Sequence, residues 1–248
     1  MSAVRPLVAV LTEWPEAFEY GRFRHEAAQA RVEVEIRRPA QWDTSPFPDV
    51  FLSRTGADTT PELLDLFGDI ESSSDVRVVN GVDAVRLAGD KLLSSCRLAE
   101  AGVPVPALVE APPGTDPEAV STAFARAAVV VKPRRGSRGR GVRLVTDPAE
   151  LRAALSETWA GGSSAVVQEY IASAESVDIR VLVVGDSVLG AMERRAKGGE
   201  FRTNVHLGAT VREVLLTPEL AALARAATHT LGLDIAGVDV VRGKRGPL

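Results

Sequence analysis

The densest group of side chains able to hold an anion begins at Lys132-Pro133 and runs on through Arg134-Arg135-Gly136-Ser137-Arg138-Gly139-Arg140-Gly141. Glycines allow close backbone approach and unusual dihedrals. Their N–H groups can form a concave anion site, and the arginines add charge. The loop lies between two apolar stretches, with no Gly-Lys-Ser/Thr and no helix directly after it, so it is not a P-loop. Its G-x-x-G-x-G spacing is not the dinucleotide fingerprint either. A nucleic-acid patch is the rival reading. Against it, the loop lacks interleaved aromatics, and 29 Lys and Arg are outnumbered by 33 Asp and Glu, a net charge of −4 that offers no general attraction to a polyanion.

Asp178 to Arg195 reads as a β-hairpin, apolar-rich in both arms, with Gly185-Asp186 as its two-residue turn. A regular ladder about that turn sets Asp178 opposite Glu193 and Arg180 opposite Ala191. Side chains alternate faces. Asp178, Arg180, Glu193 and Arg195 then share one face, and Ile179, Val181, Val183, Val188 and Met192 share the other, together with Arg194. The charged face is either the floor of a site or a solvated sheet face. Asp239 sits among valines in the apolar run Ile235–Val241. An aspartate there is disfavoured in a strand and costly to bury alone, so a metal, a cation or an exposed face must satisfy it.

The elements that must position these groups alternate along the 248 residues, a length suited to one or two domains. Leu7–Leu11 is a short continuous apolar run, as in a buried parallel strand. Val32–Ile36 and Val50–Leu52 are further strands. Arg54 follows the last of these at its C-terminal end, where open α/β sheets place ligands. Val85, Ala88, Leu92, Cys96 and Ala99 form one apolar face of a helix from Asp83 to Ala101, stopped by Gly102 and Pro104, with Cys96 expected as a core thiol. Asp116-Pro117, Asp147-Pro148 and Thr217-Pro218 are N-cap and proline pairs that open helices. Strands are expected at Ala128–Lys132, Val142–Val145 and Val166–Tyr170. One cysteine excludes an intramolecular disulfide and fits a reducing, cytoplasmic setting. No apolar run approaches the ~18 residues of a spanning helix, so no membrane partner is expected.

Val131-Lys132-Pro133 with the loop to Val142, then Gln168-Glu169-Tyr170-Ile171, Asp178-Ile179-Arg180-Val181, Glu193-Arg194-Arg195-Ala196, Glu200 to His206, and Leu231 to Asp239 occur in the order of the ATP-grasp ligases. Upstream, Asn80 and Asp90-Lys91 also match. Together they resemble the RimK-type branch, which joins an amino acid to a carboxylate and includes ribosomal-protein glutamate ligases and carrier-protein ligases of lysine and arginine biosynthesis. The resemblance implies an α/β (α+β) ATP-grasp fold. It divides into an N-terminal pre-ATP-grasp α/β domain (1–82), a helix and connector (83–113), a central subdomain with a glycine-rich lid (114–170) and a C-terminal subdomain (171–248).

The resemblance also implies roles. Lys91 and Lys132 contact the phosphates of ATP, and Gly136, Ser137, Arg138, Gly139 and Gly141 close over them. Glu169 and Tyr170 lie at the adenine, Asp178 at the ribose, and Asn204 near the triphosphate. Arg180, Arg195 and Arg202 hold phosphate or substrate carboxylate. Asp239 is a ligand of Mg2+ (or Mn2+), and Arg54 and His206 are assigned to substrate. The implied partners are a small amino acid and a carboxylate on a peptide, a carrier protein or a small acid, with homo-oligomers common in the family and no nucleic acid. In the family, a Gly-Pro-Leu like Gly246-Pro247-Leu248 is followed by a strand with Glu-x-Asn that completes the magnesium site. The chain stops just before that point. The expectation is a sequence lacking its C-terminal segment, with little ligase turnover as it stands; the alternative is an ATP-binding module without catalysis.

Overall fold

In the computed structural model, residues 5–41, 48–54, 59–73, 75–137, 139–172, 176–198, 202–203, 208–243 and 246–248 are described. They fall into two compact units, residues 1–86 and 87–248.

The first unit is built on a parallel sheet. Strands β1 (Leu7–Leu11), β2 (Glu33–Arg37), β3 (Val50–Ser53) and β4 (Arg77–Val79) lie in the order β2-β1-β3-β4, with helix α1 (Phe18–Gln29) and helix α2 (Pro61–Ser73) between them in sequence. The continuous apolar run of β1 is explained by its central place, where both edges are paired and Val10 and Leu11 are inaccessible to solvent. Phe51 of β3 meets Phe67 of α2 with ring centroids 5.3 Å apart in a core with Ala9, Leu11 and Ile70. Each buried phenylalanine contributes roughly 1.5–3 kcal/mol through the hydrophobic effect.

Helix α3 (Val82–Ala88) and helix α4 (Lys91–Glu100) replace the single helix expected over 83–101. Asp90 causes the break. Its backbone is extended, and its Oδ1 accepts from the N–H groups of Leu92 and Leu93, so it caps a new helix. A stripe counted through that break does not lie on one helix, and Cys96 is exposed rather than a core thiol.

The rest of the second unit comprises two layers. An antiparallel sheet of β5 (Leu108–Ala111), β6 (Val129–Pro133), β7 (Arg143–Val145) and β8 (Ala165–Glu169), ordered β5-β8-β6-β7, is covered on one face by α5 (Pro117–Ala123) and α6 (Pro148–Ala160). Val129, Val131 and Val167 point into that core with Leu151 and Leu155. Strand alternation therefore sends Val130, Lys132 and Gln168 to the opposite face. The helices open on caps, with Asp116 accepting from Glu118 and Asp147 from Ala149, each followed by proline.

The second sheet has β9 (Val177–Val184), β10 (Ser187–Arg195), β11 (Thr210–Val214) and β12 (Ile235–Val240) in the order β11-β10-β9-β12, backed by α7 (Pro218–Thr230). A short pair, β13 (Arg242–Gly243) and β14 (Gly246–Pro247), follows. The β9–β10 turn falls at Gly185-Asp186, but the ladder is not regular. Its register shifts between Val188 and Gly190, so that Arg194 pairs with Asp178, Met192 with Arg180 and Glu193 with Ile179. This corrects the expected pairing. The extra residue in β10 exchanges the faces of everything beyond it, bringing Arg194 and Met192 to the Asp178 face and turning Glu193 and Arg195 away.

Candidate functional site

Strand alternation accounts for the floor of the site. Val130 and Lys132 on β6 and Gln168 on β8 leave the helix-backed core and line a cavity of about 340 Å³. The second sheet supplies Asp178, Arg194 and Asp239. Because Asp239 pairs with Arg180 across β12 and β9, the two side chains share the face that carries Asp178. Glu169, Tyr170 and Ile171, at the end of β8, form part of the rim. Five basic side chains, Lys91, Lys132, Arg140, Arg194 and Arg202, line the cavity against the three carboxylates Glu169, Asp178 and Asp239. Among the described residues the lining is thus net positive, which suits a polyanion.

The glycine-rich loop roofs the cavity through Gly136, Ser137 and Gly139. Gly136, Gly139 and Gly141 all have positive φ, at 125°, 68° and 67°, where a side chain is strained. At Gly141 space is short as well: a Cβ would lie 2.8 Å from Cγ of Pro133. The root of the loop is fixed from α4. Lys91 Nζ donates to the carbonyls of Pro133 at 3.0 Å and Gly136 at 2.9 Å. Asp90, 2% exposed, accepts from Arg134 Nε at 3.0 and 2.9 Å while capping the helix. Burial would raise the Asp90 pKa, but the bonds from Arg134 and the Leu93 N–H and the charges of Arg134 and Arg135 hold it below the usual value. Nearer the tip, Arg202 Nη1 donates to the Gly139 carbonyl at 3.0 Å.

Lys132 Nζ donates to Gln168 Oε1 at 2.6 Å. Burial, with the nearby charge of Lys91, pushes its pKa down to about 8 against the opposing pull of Asp239. A bound polyanion would reverse that shift.

Arg194 donates from Nε to Asp178 Oδ1 at 2.8 Å and from Nη2 to Asp178 Oδ2, and its Nη2 lies 3.0 Å from Asp239 Oδ1. Burial would lower its pKa, but the two carboxylates outweigh this and raise it, so the group stays charged. Arg180 makes a bidentate pair with Asp239, 2.7 Å on each arm. Thr203 Oγ1 donates to Asp178 Oδ2. Arg195 lies 3.2 Å from Glu193 on the other face. Arg212 and Arg195 hold the Glu193 pKa down.

Of the residues expected at the site, the cavity brings together Lys91, Lys132, Gly136, Ser137, Gly139, Glu169, Tyr170, Asp178, Arg202 and Asp239. Arg180 and Gly141 are not among the lining residues: Arg180 pairs with Asp239, which is, and Gly141 lies beside Pro133. Arg195 is turned away. Arg54 is exposed at the end of β3 in the first unit, where its N–H donates to the Leu11 carbonyl. Arg138, Asn204 and His206 lie outside the described residues. The Glu169 side chain accepts from the Ala107 N–H at 2.8 Å, bracing the rim. Arg194, Gln168, Thr203, Asp90 and Arg134 fall within the motifs quoted from the sequence but were given no individual role there. The sequence signal that Arg194 and not Arg195 faces the site was Gly190, because a glycine inside a strand often marks a bulge.

A divalent cation needs several hard oxygen ligands. Both oxygens of Asp239 are held by guanidinium groups, and no group of three or more His, Cys, Asp or Glu able to hold a metal occurs among the described residues. These residues do not by themselves make a metal site, so no step below is routed through one. Among them, too, no helix is long and apolar enough to cross a membrane.

Residues 88–248 match the RimK-like ATP-grasp domain family. A probable alpha-L-glutamate ligase 2 of Shewanella frigidimarina is 33% identical over 97% of this chain and 86% of its own length. Among solved structures, an ATP-grasp RimK domain protein of Sphaerobacter thermophilus is 26% identical, with a TM-score of 0.74 over 99% of this chain and 89% of that one. D-cycloserine synthetase superposes with a TM-score of 0.78 at 23% identity, over 98% of this chain and 89% of that one, a likeness of fold.

Proposed function

This chain belongs to the RimK-like ATP-grasp family of ATP-dependent carboxylate–amine ligases, and we propose that it joins the amine of an amino acid to a carboxylate through an acyl phosphate. The carboxylate belongs to a peptide, a carrier protein or a small acid. One observation carries the proposal: a net-positive cavity between two sheets, floored by Lys132 and roofed by a glycine-rich loop.

A carboxylate is a poor electrophile. Transfer of the γ-phosphoryl group of ATP to its oxygen releases ADP and makes an acyl phosphate. The amine then attacks the carbonyl carbon, the C–O bond to phosphate breaks, and inorganic phosphate leaves with the proton lost from nitrogen. The protein's share is positioning and charge neutralisation. Lys91, Lys132 and the arginines offset charge on the transferring group, and the loop shields the acyl phosphate from water. We assign Glu169 and Tyr170 to the adenine and Arg180 and Arg202 to phosphate or substrate carboxylate. The segments 83–113, 114–170 and 171–248 serve as connector, lid-bearing and phosphate-facing parts.

Binding is tested by the thermal shift of the chain with ATP beside Lys132→Ala, since a ligand that binds only the folded state must stabilise it. A shift present in the first and lost in the second is expected; no shift in either rejects the site. Chemistry is tested by ADP formation that requires both an amine and a carboxylate. A nucleotide-binding role without turnover is favoured by the engagement of Asp239 by two arginines, and ATP binding with no ADP formation in the presence of both substrates supports it.

A further inference from the structure

We infer that Arg134, which is not among the cavity's lining residues, is a positioning residue for Lys91, and that Glu110 on the edge strand β5 is its anchor. The inference rests on the nucleotide reading of the cavity, in which Lys91 meets the phosphates.

Arg134 stands where β6 gives way to the glycine-rich loop, and its side chain is engaged by two carboxylates. Its Nε donates to both oxygens of Asp90, and its Nη1 donates to Glu110 Oε1 at 2.8 Å. Ser164 Oγ donates to the same Glu110 oxygen at 3.0 Å. The backbone is held as well. The Arg134 N–H donates to the Ser164 carbonyl at 2.9 Å, and the Arg134 carbonyl accepts from the Lys91 N–H at 3.1 Å. One residue thus ties the start of α4 to the end of β6, the approach to β8 and the edge strand β5. A guanidinium suits this task, because its donors lie in one rigid plane and serve two carboxylates at once.

Register explains why these groups meet. Glu110, Val166 and Lys132 form one row across β5, β8 and β6, on the face turned away from the helix-backed core. Lys132, at one end of the row, opens to the cavity. Glu110, at the other end, takes Arg134.

Lys91 is the first residue of α4, and Asp90 caps that helix while pairing with Arg134. The pair therefore sets the direction in which the next side chain leaves the helix. Lys91 Nζ reaches the carbonyls of Pro133 and Gly136, on either side of Arg134 in sequence, and lines the cavity. The Asp90 side chain is only 3% exposed, and a buried carboxylate that loses its partner is left uncompensated. Arg135, at 3.4 Å and 55% exposed, is the lesser partner. Loss of Arg134 would loosen Lys91 while removing no residue of the cavity lining.

Titration calorimetry of the full chain with ATP and with adenosine, well below each variant's unfolding midpoint, separates positioning from general stability. Arg134→Gln is expected to weaken ATP about tenfold, the loss of a charged hydrogen bond, and adenosine by no more than about twofold. Glu110→Ala, on a strand with no residue in the cavity lining, should weaken ATP about threefold and add nothing in the Arg134→Gln background. Arg134→Gln/Lys91→Met should lie within about twofold of Lys91→Met alone, since a positioning residue then has nothing left to position.

The assignment is overturned if Arg134→Gln lowers the unfolding midpoint but leaves ATP affinity unchanged, which is a structural clamp alone, or if adenosine weakens as much as ATP. It is also overturned if Arg134→Gln and Lys91→Met multiply independently, as they would were Arg134 itself a phosphate ligand. An effect at Arg134 with none at Glu110 overturns the anchor. Should Arg134→Gln fail to fold, Asp90→Asn/Arg134→Gln, which keeps a cap acceptor and removes the unpaired charge, carries the same comparison beside Glu110→Ala. Failure of the unsubstituted chain to bind ATP overturns the nucleotide reading itself, whereas ATP binding indifferent to Arg134 and Glu110 overturns only the roles given to them.

Discussion

At the scale of single residues, Lys132 is held near pKa 8 by burial and by Lys91, in spite of Asp239. A polyanion binds the protonated form. At pH 9 about nine-tenths of the free protein lacks that proton, so ATP affinity should fall about tenfold between pH 7 and pH 9. In Lys132→Arg, whose guanidinium stays charged, the curve should flatten, and titration calorimetry at the two pH values reads the difference. A second residue-scale test is Gly141→Ala. With φ at 67° and Pro133 Cγ 2.8 Å from the new Cβ, it should destabilise by roughly 1–2 kcal/mol or more, seen as a lower urea midpoint. Asp239 stood out in the sequence because a charge inside an apolar strand is conspicuous by its cost, and Lys132 because it opens the glycine- and arginine-rich loop. The contacts of Gln168 and Thr203 were not readable, because neutral polar residues carry no such signal and become meaningful only when folding sets them beside Lys132 and Asp178.

At the scale of elements, Asp90 does two jobs: it caps α4 and holds Arg134 at the root of the loop. Asp90→Ala should therefore cost about 2–4 kcal/mol, a lost cap plus a lost charged hydrogen bond. The pH dependence has a definite sign. The pKa of Asp90 is depressed in the folded state, so its contribution is fully present above about pH 4 and is lost as the pH falls through the folded value. Asp90→Asn, which keeps a cap acceptor, should flatten that acid limb in urea midpoints between pH 3 and 6; an unchanged limb would discount the ion pair. Leu220→Ala, which empties a buried position of α7 against Val181 and Val183, should cost roughly 2–5 kcal/mol. Caps and N1 prolines placed three helices directly, since their chemistry is local. The break at Asp90 was hidden because the apolar spacing ran through it, and the β10 register because one added residue is invisible to a period-two count.

At the scale of the whole molecule, the described residues that line the net-positive cavity all belong to the unit 87–248. Hydrogen exchange should show ATP protecting β6, the loop to β7, β8, β9 and β10, with the β1 and β3 amides of the first unit changed little. Equal protection of both units would contradict a nucleotide site built within the second alone. Fold class was readable at this scale, because strands alternating with helices in the first third and paired apolar strands later leave few arrangements. How the two sheets of the second unit close on one cavity was not readable, since that depends on which face each strand turns inward.

The irregular ladder of the β9–β10 hairpin also bears on how the chain finds its structure. A hairpin zipped without the extra residue would set Glu193 directly opposite Asp178, two like charges across a ladder, which repel. The register actually formed sets Arg194 there instead. The mispaired hairpin is therefore penalised by its own charges, and the same ion pair that lines the pocket favours the native alignment of the two strands over that slip.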